Sequence, residues 1–169
     1  MKRSLATTLC FFAWATVAQA HHFNDGGVHW AATGATNERS LRVADCVGSR
    51  WDAPLRAAIT SWNASVFINL RIVGCNQPHQ VKVSQQSLSG TGSWTQVSWS
   101  GVHFTSAHVK LNKATVSGKE RHLACHELGH ALGLDHRNET TSCMRTPVTS
   151  RTPDAHDYAA IRSAYSHRP

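Results

Sequence analysis

One stretch constrains this chain more than any other: His126-Glu127-Leu128-Gly129-His130-Ala131-Leu132-Gly133-Leu134-Asp135-His136. It fits H-E-x-x-H-x-x-G-x-x-H at every fixed position. From the chain's own His, Glu and Gly content, those five residues would coincide in about one such sequence in ten thousand. On a helix, His126 and His130 stand four residues apart, so their rings leave the same face about one turn apart. Two imidazoles placed so can share one Zn²⁺. Gly133 can adopt a left-handed conformation and end the helix, letting the chain turn back and bring His136 as a third ligand. Three protein ligands leave a fourth position for water, the layout of a catalytic rather than a structural zinc.

The residue types dictate the chemistry to expect. Zinc lowers the pKa of its water towards about 7 and polarises a carbonyl oxygen. Glu127 lies next to a ligand without having to be one. It is the candidate general base, taking the water proton and passing it to the leaving amine. The expected reaction is amide hydrolysis without an acyl-enzyme, and the chain carries no G-x-S-x-G stretch or redox-type C-x-x-C to compete with it. The alternative from another class is a non-catalytic zinc-containing binding protein or inhibitor. The intact Glu127 argues against it, since a pure binder has no use for a base beside the water.

With these residues in view, the chain resembles a metzincin zinc endopeptidase, and within that clan the matrixins. Metzincins carry a methionine turn under the zinc after the third His. Here Met144 follows His136 by eight residues. Trp51-Asp52-Ala53-Pro54-Leu55, running to Trp62-Asn63, is similar to the first helix of a matrixin domain. His108-Val109-Lys110-Leu111-Asn112 resembles the strand before the active-site helix, and His156-Asp157-Tyr158 the start of the final helix. The resemblance implies an α+β fold. A twisted, mostly parallel sheet with an edge strand would be joined by an active-site helix and a C-terminal helix. A zinc cleft would separate a large N-terminal part from a small C-terminal part after His136. It also implies that Asp157 bonds the backbone of the methionine turn. The chain departs from the family where Arg145-Thr146-Pro147 stands in place of Tyr-Pro after the methionine.

The N-terminus reads as a secretory signal. Lys2 and Arg3 are basic, residues 5–17 are largely apolar, and Ala18-Gln19-Ala20 is a small-x-small cleavage site. The expectation is a signal peptide over 1–20, a single metallopeptidase domain over 21–169, and a secreted or periplasmic location. The apolar run is too short to span a membrane. Loss of the signal removes Cys10 and leaves Cys46, Cys75, Cys125 and Cys143. An even count in an exported protein suggests two disulfides, for which sequence alone allows three pairings. If the resemblance puts Met144 beneath the zinc, Cys125 and Cys143 come close together. The expected pairs are then Cys125–Cys143 and Cys46–Cys75.

Removing Lys2 and Arg3 lowers the net charge from +7 to +5. The cations are scattered along the chain, which reads as a solvated basic surface, and no nucleic-acid motif accompanies them. The expected partner is a protein or peptide substrate, with no nucleic acid, no membrane span and a monomeric state. A structural Ca²⁺ or a second Zn²⁺ has no clustered His-x-Asp loop to support it. Strands are expected near residues 28–31, 41–43, 66–73 and 81–83, with an edge strand around 94–99. Helices are expected from Asp52 as cap, from about Gly118 to Leu132 behind a Ser117-x-x-Glu120 capping box, and after Thr152-Pro153.

Overall fold

The computed structural model describes residues 27–32, 37–90, 92–138, 141–147 and 149–166. The expected signal peptide therefore lies outside the described residues. The elements in chain order are β1 (Arg39–Cys46), α1 (Ser49–Trp62), β2 (Ile68–Gly74), β3 (Val81–Gln86), β4 (Trp94–Ser100), β5 (His103–Asn112), α2 (Glu120–Ala131) and α3 (Ala155–Tyr165). Five strands form one sheet in the order β2-β1-β3-β5-β4. All neighbours pair in parallel except β4, which runs antiparallel to β5 at the edge. This is the α+β architecture the resemblance implied.

Period-2 alternation decides which face is buried. Leu41 and Val43, Val81 and Val83, and Val109 and Leu111 point into the core. Against them pack Trp51, Leu55, Ala58, Ile59 and Trp62 of α1, and Ala124, Leu128 and Ala131 of α2. Each fully buried large apolar side chain contributes about 1.5–3 kcal/mol, so this layer holds α2 against the sheet. The other face is open: Arg42, Arg71, Gln96, Ser98 and Ser106 are exposed. Among the described residues, no helix is long and apolar enough to cross a membrane.

Several boundaries differ from the sequence expectation. The first helix begins at Ser49, with Gly48 as cap, and Asp52 falls in its first turn. The earlier start puts Trp51 on the buried face. Strand β2 begins at Ile68, and Val66 is exposed in the approach to it. Residues 28–31 form no strand; His29 alone bridges to His103. The expected capping box at α2 does not form. Lys119 occupies the cap without a side-chain bond, and Gly118 sits at φ +89°. Glu120 instead accepts from the Gly118 N–H at 2.8 Å and from Arg50 Nε at 2.8 Å. The last helix starts two residues beyond Pro153. Asp154 and Asp157 form its capping box, with each carboxylate accepting from the other end of the turn.

Candidate active site

Helix α2 carries the first two histidines and the glutamate. Its end is built as the motif's glycine suggested. Gly133 has φ +92°, Leu134 N–H donates to Gly129 O at 3.0 Å, and Gly133 N–H donates to His130 O at 2.9 Å. That pair of hydrogen bonds is a Schellman stop. It reverses the chain and brings His136 back over the helix. The Nε2 of His126 lies 3.1 Å from Nε2 of His130 and 3.2 Å from Nε2 of His136. All three candidate ligand atoms fall within 4.8 Å of one another.

The far side of two rings is fixed by backbone. His126 Nδ1 is 2.7 Å from Cys143 O, and His130 Nδ1 is 2.7 Å from Leu134 O. A carbonyl only accepts, so both Nδ1 atoms carry the proton and both Nε2 atoms present lone pairs. Burial, above all, pushes the two rings down to about 4, which keeps them neutral at ordinary pH. Two lone pairs 3.1 Å apart repel each other unless a cation lies between them. A tetrahedral zinc with ordinary Zn–N bonds spaces its nitrogens by about 3.3 Å. The donor set therefore fits zinc, with carbonyl partners of the kind that orient metal-binding histidines.

Glu127 faces the same cleft. Its Oε2 accepts a hydrogen bond from Thr95 Oγ1 at 2.7 Å, and Thr95 Oγ1 also lies 2.9 Å from the Glu127 carbonyl. Burial pushes the carboxyl up to about 7, while the bond from Thr95 pulls the other way. The cleft has a volume of about 360 Å³. Trp94 and Thr95 of the edge strand form one wall, and His126, Glu127, His130 and His136 the other.

Met144 lies fully buried beneath this helix. A Cβ on Gly129 would stand 2.2 Å from Met144 Sδ and 2.8 Å from Trp62 Cζ2. Gly129 is a variable position of the motif, yet here no larger residue fits without displacing the methionine. The structure contains the disulfides Cys125–Cys143 and Cys46–Cys75. The first ties the residue before His126 to the residue before Met144.

Asp157 acts differently from the expectation. It does not bond the methionine-turn backbone directly. Its Oδ2 accepts from Ser142 Oγ at 2.8 Å, and Ser142 Oγ in turn accepts from Met144 N–H at 2.8 Å. A serine hydroxyl is thus inserted between the carboxylate and the turn. Sequence reasoning missed Ser142, Thr95, Gly129 and Arg137. Thr95 could have been found as an inward position of the edge strand, alternating with Trp94 and Gln96. Arg137 had no local signal, because its partners Asp154 and Asp157 lie 17 and 20 residues away.

The matrixin family profile matches residues 18–166. The chain belongs to the matrixin family. Membership supports a zinc metalloendopeptidase at the level of the family. Among solved structures, the crystal structure of myroilysin superposes with a TM-score of 0.56 at 14% identity, over 84% of this chain and 87% of that one. At that identity the likeness shows the fold. Among curated proteins, no sequence matches the chain.

Proposed function

We propose that this matrixin is an exported, monomeric, zinc-dependent endopeptidase. Residues 1–20 act as the signal peptide and 21–169 as the catalytic domain. His126, His130 and His136 hold the metal, and Glu127 is the general base. The observation that carries the reading is the meeting of three imidazole nitrogens and one buried carboxyl in a single cleft. When bound, zinc supplies a Lewis acid that activates water and polarises the scissile carbonyl.

The chain's own groups do the rest. Carbonyl bonds from Cys143 and Leu134 hold His126 and His130 in the tautomer that leaves Nε2 free. Thr95 holds Oε2 of Glu127 and leaves the other oxygen to receive the proton of the attacking water. A carboxyl near pH 7 both takes a proton and returns it to a leaving amine with little penalty. Strand β4 is the sheet edge, and an extended peptide can pair along its open side. Two disulfides agree with an oxidising compartment.

The test is hydrolysis of a broad peptide panel by the purified chain. Cleavage should stop with a zinc chelator and return with added zinc. Glu127→Ala should keep its metal and lose about a hundredfold or more in rate. A zinc-loaded, folded chain that cleaves no member of the panel would overturn the reading.

A further inference from the structure

The cations that appear scattered in the sequence are collected by the sheet. Positions 42, 71, 82, 108 and 110 all have the parity opposite to the core residues of their strands, so they share the open face. Register then aligns them. Arg42 pairs with Arg71 across β1 and β2. Lys82 pairs with Ala44, two residues further along β1, and also with His108 on β5. Lys110 lies two residues beyond His108 and pairs with Trp94 of β4. The result is a diagonal stripe from Arg71 to Lys110, roughly 20 Å long at ordinary strand spacing.

This arrangement costs stability, because like charges directly opposite each other on a sheet repel. The groups feel one another. The His108 ring is held below its ordinary value by burial first, then by Lys110, Lys82 and His79. Among the described residues, the carboxylate that reaches this face is Glu38. It stands at the β2 corner, bonded to Asn69 at 2.9 Å. The centre of the stripe holds a hollow of about 310 Å³, lined by His79, Lys82, His108 and neutral Gln96, Ser98 and Ser106.

The stripe ends at the cleft. Lys110 Nζ sits 3.8 Å from the centroid of the Trp94 ring, and Trp94 is also a wall of the zinc cleft. Trp94 is 43% exposed, so the rim it forms is open to a ligand. A polypeptide leaving the cleft past Trp94 meets a row of cations within a Debye length of one another.

We infer that this stripe is a docking site for an acidic segment of the protein substrate, extending recognition beyond the cleft at Trp94. The inference rests on the proposed peptidase activity. Charge complementarity favours a polyanion, and continuity with the cleft favours one that is part of the substrate. A membrane partner would call for exposed apolar side chains on this face, and among the described residues the large exposed apolar group on it, Trp94, is stacked on Lys110.

Two measurements on the zinc-loaded chain test it. The first is fluorescence anisotropy of labelled decaglutamate, with the wild type and with Arg42→Gln/Lys82→Gln, both positions outside the cleft. The double variant should bind about tenfold more weakly, and 0.5 M salt should abolish most wild-type binding. The second compares kcat and KM on a neutral peptide and on the same peptide carrying six glutamates at either end. In the wild type one acidic extension should lower KM about fivefold or more with kcat unchanged. The double variant should lose that advantage and keep wild-type kcat/KM on the neutral peptide. Equal binding by wild type and variant, or no gain from either extension, overturns the inference. Tighter binding of a sulfated oligosaccharide with no gain from glutamate reassigns the face to a polysaccharide. Cleavage of neither peptide with decaglutamate binding intact rejects the peptidase reading, and the substrate assignment with it.

Discussion

Helix α2 and the segment after His136 serve the same site but are held by different balances of packing and charge. The helix is held by apolar packing and by aromatic side chains that bond its carbonyls. Trp62 Nε1 donates to Cys125 O at 3.0 Å, Trp30 Nε1 to Ala131 O at 2.8 Å, and Tyr165 OH to Leu132 O at 2.9 Å. The last two satisfy carbonyls that a helix end leaves without partners. The later segment also puts Met144, Ile161 and Tyr165 into the core. What it adds is a buried ionic network: Arg137 Nη1 bonds Asp154 at 2.8 Å and Asp157 at 3.3 Å, and Asp157 also receives Ser142. The two regions meet where Gly129 lies on Met144 and where Cys125 joins Cys143. The two candidate ligands on α2 thus depend on core packing, while the placement of the third candidate and of the methionine turn depends on buried charge as well as packing.

The sharpest way to break this contrast is Asp157→Ala. Both partners are buried, with Asp157 0% and Arg137 2% exposed at the side chain. Removing the carboxylate leaves Arg137 on Asp154 but takes away a buried counter-charge and the acceptor of Ser142 Oγ and of the Asp154 N–H, and should cost about 3–5 kcal/mol, read by urea unfolding. A loss below about 1 kcal/mol would mean that packing, not charge, holds the segment. Next in size is Gly129→Ala, which should cost about 1–3 kcal/mol through the collision with Met144 and Trp62. Adding Met144→Ala should relieve part of that cost, so the two changes will not be additive. Strict additivity would show that the two residues do not press on each other.

The smallest effect concerns acid. Burial pushes Asp154 up, but bonds from Asp157 N–H and Thr141 and the charge of Arg137 outweigh it, so its carboxyl lies below its ordinary value of 3.8. A depressed carboxyl stabilises the fold above its unfolded pKa, and that contribution fades as pH falls through the lower folded value. Below about pH 3.8 the wild type should therefore lose stability that Asp154→Asn lacks at every pH. Parallel stability curves for the two proteins between pH 5 and 2.5 would contradict this.

The same contrast explains what the sequence could reveal. Three histidines and a glutamate at fixed helical spacing are a local pattern, so their shared face and the stop at Gly133 follow from residue order. The period-2 run of β2 and the apolar face of α1 were legible for the same reason. Helix starts were less so. Ser117-x-x-Glu120 has the residues of a capping box, yet Arg50, 70 positions away, binds Glu120 instead. Arg137, Ser142 and Asp157 make sense only once the chain has folded back. The basic stripe is also invisible until register is known, because its members come from four strands.

Both regions together should deliver three ligands to one zinc. Metal analysis of the wild type and of His130→Ala, after dialysis against metal-free buffer, tests it most directly. The wild type should retain about one zinc per chain, and the variant should lose nearly all of it while keeping its far-UV circular dichroism, since two ligands hold zinc poorly. A folded His130→Ala chain that still holds one zinc would contradict it.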